Sequence, residues 1–211
     1  MRTKKVTCVL LVAVFALSLF SINAKAGDNG RFSVGAELGL PMGSFGDGSN
    51  IGFGGSLRYE MPMGDNLALM GTAGYLTFGG KDVTTGVAGF AAVTTSSKVG
   101  IIPIQVGAKY YFQEQQNGFY GMVQLGLSLV NYSNDVTVDV LGTKTTTSTS
   151  SNNSGFSYAP GIGYHLANLD FGLSYQLFTQ STTVSTPLGS VTSTSTGSYL
   201  GLRIAYVFGE K

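Results

Sequence analysis

Charge is the scarcest property of this sequence. Lysine, arginine, aspartate and glutamate make up 11% of its 211 residues, against about 25% in soluble globular domains. A water-facing exterior needs more charge than that. Tryptophan is absent, and there is a single cysteine, Cys8, and a single histidine, His165. One cysteine excludes a disulfide framework and a cysteine metal site. One histidine without cysteine partners does not readily supply the three or four ligands that zinc takes. No cofactor or metal is therefore expected. Beyond Ala26 no apolar run reaches the ~18 residues of a transmembrane helix. Disorder is excluded as well, because 22 residues after position 26 are Phe or Tyr. The length suits one domain.

Residues 1–26 have the organisation of a secretory signal. Arg2, Lys4 and Lys5 precede the apolar segment Val6–Phe20, and Ala24-Lys25-Ala26 supplies small residues at a cleavage site. Cleavage is the expectation, leaving residues 27–211 as one domain. Four of the twelve basic residues lie in this leader, so eight remain against eleven acidic ones. A mature chain of that balance has no basic stripe for nucleic acid.

Instead of helical periodicity, the remainder alternates apolar and small or polar residues with period two, in eight segments. Phe32, Val34, Ala36, Leu38 and Leu40 begin the series. Ile51–Met61, Leu67–Phe78 and Ile102–Phe112 continue it, followed by Phe119–Leu129, Phe156–Leu166, Leu169–Leu177 and Leu200–Phe208. On the third segment Leu67, Leu69, Ala73 and Tyr75 form the apolar face. Each segment has about the ten residues that a tilted strand needs to cross a bilayer. The connections alternate in length: residues 41–50, 79–98, 133–154 and 179–197 are long, whereas 62–66, 113–118 and 167–168 are short. Outer-membrane barrels combine short periplasmic turns with longer external loops in this way.

A soluble barrel has the same alternation with its apolar face inward, but its exterior would carry Lys and Glu. Here the second face is mainly Gly, Ser, Ala and Gln. Aromatics gather near segment ends (Phe32, Tyr59, Phe112, Phe119, Phe156, Phe208), as interfacial girdles require. The predicted fold is all-β: an eight-stranded, antiparallel, up-and-down transmembrane β-barrel.

With Ile102-Pro103-Ile104-Gln105-Val106-Gly107-Ala108-Lys109-Tyr110-Tyr111-Phe112 and Tyr199–Phe208 in view, the chain resembles the small eight-stranded outer-membrane β-barrels (OmpA/OmpX-type, the outer-membrane β-barrel domain family). Gly201, Ile204, Tyr206 and Phe208 resemble the C-terminal signal read by the barrel-assembly machinery, which the resemblance implies as a partner. It implies no activity.

Within such a barrel, Glu37, Arg58, Glu60, Lys109 and Arg203 fall on the lumen face, with Gln105, Gln124 and Tyr111 helping to fill it. A Glu37 held between Arg58 and Arg203 is the expected structural cluster. His165 lies beside a short turn and near Asp170, at the wrong end for an enzyme acting on the external leaflet. Catalytic residues are not expected. Val140–Ser154 and Ser181–Ser198 are dense in Thr and Ser and read as hairpins turning near Leu141-Gly142 and Pro187-Leu188-Gly189. Asp82–Ser97 resembles them, with its tip at Gly86–Phe90. Neither Thr/Ser loop carries the Trp, Tyr or Arg anchors of a tight protein interface.

The leading expectation is therefore a monomeric barrel in the outer membrane of a Gram-negative bacterium, with a structural or surface-interaction role through its external hairpins. Outer-membrane lipid and lipopolysaccharide are its expected partners. A narrow porin-like channel for ions or small solutes is the alternative, and a lipid-acting enzyme the third.

Overall fold

The computed structural model describes residues 30–87, 91–113, 116–186 and 189–208. The leader and the three C-terminal residues lie outside them, as do Pro187, Leu188 and residues 88–90 of the expected hairpin tips. The described chain forms nine strands and one short helix. These are β1 (Arg31–Met42), α1 (Gly43–Gly48), β2 (Ser49–Pro62), β3 (Leu67–Gly80), β4 (Val83–Val87), β5 (Ala91–Tyr111), β6 (Gly118–Val140), β7 (Thr143–Leu166), β8 (Leu169–Thr186) and β9 (Gly189–Phe208).

Consecutive strands pair antiparallel, and the ring closes through β1 with β9 and β3 with β5. β4 pairs only with β5 among the described residues. Eight strands thus make the barrel, and the ninth is a spur on its external wall. Closure leaves no free edge in the hydrocarbon zone, where an unpaired N–H or C=O costs several kcal/mol.

Alternation places the large apolar side chains outside. Phe53, Val106, Phe112, Phe119, Ile162 and Ile204 are each about half exposed or more, which in a membrane is contact with lipid. Girdle aromatics pair across strands, as in Phe119–Tyr164 and Phe32–Phe208, whose ring centroids are 4.7 and 6.4 Å apart. Two prolines leave a signature in the wall. Pro103 has no N–H to give β3, and the β3–β5 ladder skips Gly74–Tyr75 opposite Ile102–Pro103. Pro160 does the same to the β7–β8 ladder at Ala159–Pro160.

The wall is lopsided. β1, β2 and β3 have 12, 14 and 14 residues, whereas β5, β6 and β7 have 21, 23 and 24. β8 and β9 add 18 and 20. The expected long loops are therefore mostly strand, since Thr favours extended backbone. β6 turns into β7 at Leu141-Gly142, with φ of +50° and +85°, the pattern of a tight two-residue hairpin turn. Residues 41–50 differ: the chain makes α1 there instead of an open loop.

Candidate functional site

The chemistry of this molecule lies in its lumen, which the inward faces fill in layers. At the end carrying the short turns, which faces the periplasm in outer-membrane barrels, Gln116 closes the mouth. Its Nε2 donates to the carbonyls of Gly64 and Leu67 at 2.8 and 3.0 Å. Its Oε1 accepts from Arg31, and its carbonyl oxygen lies 3.1 Å from His165 Nδ1. The backbone is left-handed here, with φ +54°, a strained setting for a residue other than glycine. With a second bond from Arg31 to its carbonyl, five polar contacts hold it. Gln116 lies in a turn without hydrophobic periodicity, so pattern reading passes over it.

Above this cap lies the charged layer. Lys109 Nζ lies 2.5 Å from Glu60 and 2.6 Å from Asp170, and 4.1 Å from the Tyr120 ring centroid. Asp170 also approaches Arg203 at 3.5 Å and Arg58 at 3.7 Å, and accepts from the Tyr120 hydroxyl at 2.9 Å. Glu60 accepts from Tyr111 at 3.2 Å and lies 3.9 Å from Arg31. Arg203 donates to Ser56 at 2.8 Å and to Ser33 at 3.0 Å. All of these side chains are buried. Isolated charges in such surroundings are prohibitively costly, and the multiple partners are what make them tolerable.

All five sequence-predicted lumen charges are thus in one region, but their pairing differs from the expectation. Glu37 meets Arg203 at 3.8 Å. Arg58 turns to Asp170 instead, and its Nε donates to Thr72 at 3.1 Å. The reason is the register: Arg58 lies opposite Ser33 on β1, not opposite Glu37. For Asp170, the hub of the layer, the sequence indicates only that it neighbours His165. That reading holds, since the two are paired across β7 and β8. What it missed is that Asp170 is buried, with three cations around it. The parity of Asp170 with Gly172, Ser174 and Gln176 marks it as a lumen residue.

A belt of amides follows. Gln105 donates to Ser157 and Gln176, both at 3.1 Å, and Thr72 donates to Gln124 at 2.7 Å. Towards the outside the filling changes completely. Leu76, Phe78, Val99, Ile101, Val130, Phe178 and Tyr199 form one buried apolar cluster. Phe45, carried by α1, lies on top of it, 5.1 Å from Phe78 and 5.5 Å from Phe178 between ring centroids. Phe78 fits only because glycine faces it. A Cβ at Gly52 would lie 2.4 Å from its ring. The sequence reading of a Gly, Ser, Ala and Gln lumen misses this apolar plug. Leu76 and Phe78 carry the signal, because they are out of phase with Leu67, Leu69, Ala73 and Tyr75.

Among the described residues, no three His, Cys, Asp or Glu side chains are grouped to hold a metal ion. The arrangement is two stacked plugs, one ionic and one apolar, inside a closed ring of strands.

The outer membrane protein beta-barrel domain family matches residues 12–185. The chain belongs to that family. It is an outer-membrane β-barrel protein, and the exposed apolar girth described above is its membrane face. Among solved structures, a major outer membrane protein from Thermus thermophilus is similar at 16% identity and a TM-score of 0.53, covering 85% of this chain and 99% of that one. Neisserial surface protein A aligns at 15% identity, 86% and 98% coverage and a TM-score of 0.39. The attachment invasion locus protein Ail of Yersinia pestis aligns at 12% identity, 85% and 98% coverage and a TM-score of 0.45. These likenesses concern the fold alone. No curated protein matches the chain by sequence.

Proposed function

We propose that this protein is a non-conducting, monomeric anchor whose barrel carries a Thr/Ser-rich wall beyond the membrane, for structural or surface-interaction purposes. The observation that carries the reading is the combination of a lumen plugged at two levels with strands far longer than a bilayer needs. β6 and β7 continue for about ten residues past Leu129 and Ser154, or ~30 Å of extended chain. Among the described residues the β7–β8 ladder ends at Ser157 opposite Phe178; beyond it Thr179 still donates to the Phe156 carbonyl and Gln180 to Tyr132, while the β4–β7 and β8–β9 ladders continue outward. Hydroxyl pairs line the first, including Thr137–Thr146 at 2.9 Å and Thr84–Thr94 at 3.1 Å. Such a surface offers hydrogen bonds at low charge, suited to glycans or simply to a polar exterior.

In the same reading, residues 1–26 are an export signal removed on secretion, and Gly201, Ile204, Tyr206 and Phe208 address the chain to the barrel-assembly machinery. Ile204, Tyr206 and Phe208 present about half of their surface on the outer wall, where an assembly factor reaches them. The narrow-channel alternative requires both plugs to move, and the lipid-enzyme alternative requires a nucleophile and base at the external leaflet. Planar-bilayer recording tests the proposal. Purified protein gives no stable conductance, while trimming the wall to the paired residues Ser133 and Ser150 abolishes surface binding and leaves the barrel folded. A large, steady monomer conductance overturns it.

A further inference from the structure

The outer wall is not uniformly convex. A shallow, open depression of about 390 Å³ lies on it, lined by Val34, Leu57, Ala73 and Tyr75 together with Gly35, Gly55, Ser56 and Gly74. Its origin is local. The depression ends at the same Gly74–Tyr75 step where Pro103 interrupts the ladder, and the outward positions Ala36, Gly55 and Ala73 are all small. Tyr75 stands at one end of the depression, and its ring reaches towards the outside over Gly100. A Cβ at Gly100 would lie 3.3 Å from the phenol oxygen. The next outward residue on that strand is Lys98, paired with Gly79 on β3 and Ser133 on β6. It lies four residues beyond Ile102, about 13 Å along the strand. Lys98 is exposed and has no ion-pair partner among the described residues. Asn131 faces Gly100 across the ladder; its amide donates to Asn152 and accepts from Ser133 at 3.3 Å, which leaves its second N–H for a ligand at the same level.

An apolar depression at hydrocarbon depth, then a phenol, then an unpaired ammonium at the external rim, is the order of parts in an anionic lipid. We propose that this face of β1, β2, β3 and β5 is a binding site for one phosphorylated lipid of the external leaflet. An acyl chain lies in the depression, and the phosphate rests on Lys98 with hydrogen bonds from Tyr75 and Asn131. The remaining external cations fit this role less well. Lys81 donates to the Gly46 carbonyl at 3.1 Å and is followed directly by Asp82, and Lys144 lies 3.9 Å from Asp139 at the hairpin turn. Two carboxylates flank the next outward level, Asp135 opposite Ser96 on β6 and Asp82 directly before Val83, the partner of Thr95; neither forms an ion pair with Lys98 among the described residues. The inference rests on the membrane-barrel reading but not on any role for the hairpins.

Folded full-length protein, checked by its heat-dependent gel migration, is incubated with lipid A or with the same lipid after removal of its phosphates. Native mass spectrometry then counts retained lipid. Wild type retains one lipid A in strong preference to the dephosphorylated form. Lys98→Gln reduces that preference about five-fold, the weight of one cation at an anionic surface, and Lys98→Arg restores it. Ala73→Leu fills the depression and lowers retention of both forms. Equal retention of the two lipids by wild type overturns the proposal, as does an unchanged preference in Lys98→Gln or unchanged retention in Ala73→Leu. Trimming the hairpins above Ser133 leaves the preference intact, which separates failure of this site from failure of the surface role.

Discussion

Towards the periplasm the lumen is packed with ion pairs converging on Asp170 and Lys109, whereas towards the outside Phe78, Phe178 and Tyr199 fill the same bore with rings. Both fillings exclude water, yet they depend on their neighbours in different ways. Rings lose stability in proportion to the contact removed. Buried charges lose it abruptly, because removing one partner strands the others. The ionic half is the more brittle of the two, and the apolar half the more graded.

The largest effect expected from this contrast is at Asp170. Replacing it with Ala leaves Lys109, Arg58 and Arg203 with only Glu60 and Glu37 between them. A loss of about 3–5 kcal/mol is expected, the cost of breaking a buried pair. Urea unfolding in lipid vesicles measures it. A loss below about 1 kcal/mol, far under the range for a broken buried pair, would mean that water enters the periplasmic half and solvates the cations. That result would erase the distinction between the halves.

In the apolar half, Phe78→Ala is expected to cost about 3 kcal/mol through the cavity it opens. The facing glycine sharpens this prediction. Gly52→Ala overpacks the ring and costs about 1–3 kcal/mol, and Phe78→Leu in the same molecule recovers most of that. If the two substitutions are additive in unfolding experiments, Phe78 does not pack against β2 in the way described.

Phe45 is the test of how far the plugs are independent. Its two aromatic contacts are worth about 1 kcal/mol each, so Phe45→Ala is expected to cost about 2 kcal/mol, less than Phe78→Ala. The ionic layer beneath remains in place. Bilayer recordings of Phe45→Ala therefore stay silent, and conductance from this variant would show that the apolar plug alone holds the lumen shut.

How much of this was legible in the sequence depends on the physical origin of each part. The wall was readable because lipid imposes period two on every strand, and because Thr/Ser stretches with Val favour extension. Parity places Glu37, Arg58, Glu60, Lys109 and Arg203 on the inner face, but it does not single out Asp170 and Arg31, which the structure adds to the same layer. The partners of these charges were not readable. Strand tilt and register decide that Arg58 faces Asp170 and not Glu37, and neither is written in the alternation of one strand. Gln116 and Phe45 lie in connections, where no period exists to mark them. The apolar plug was missed for a different reason: Leu76 and Phe78 look like lipid-facing residues until their phase is compared with Leu69 and Tyr75.

The smallest effect belongs to the external wall, and it bounds the contrast from the other side. Lys144 and Asp139 lie 3.9 Å apart near the Leu141-Gly142 turn, and the Lys144 side chain is 70% exposed. The same charges that are indispensable in the lumen have little to do here, because water solvates each of them separately and salt screens the pair. Lys144→Ala is expected to change unfolding stability by less than about 0.5 kcal/mol. The Asp139→Ala and double variants should match it within error. A coupling above about 1 kcal/mol in that double-mutant cycle, beyond the range of exposed pairs, would mean that the hairpin is shielded from water by a neighbouring molecule or by its own sheet. The difference between lumen and wall would then lie in hydration and not in depth along the barrel.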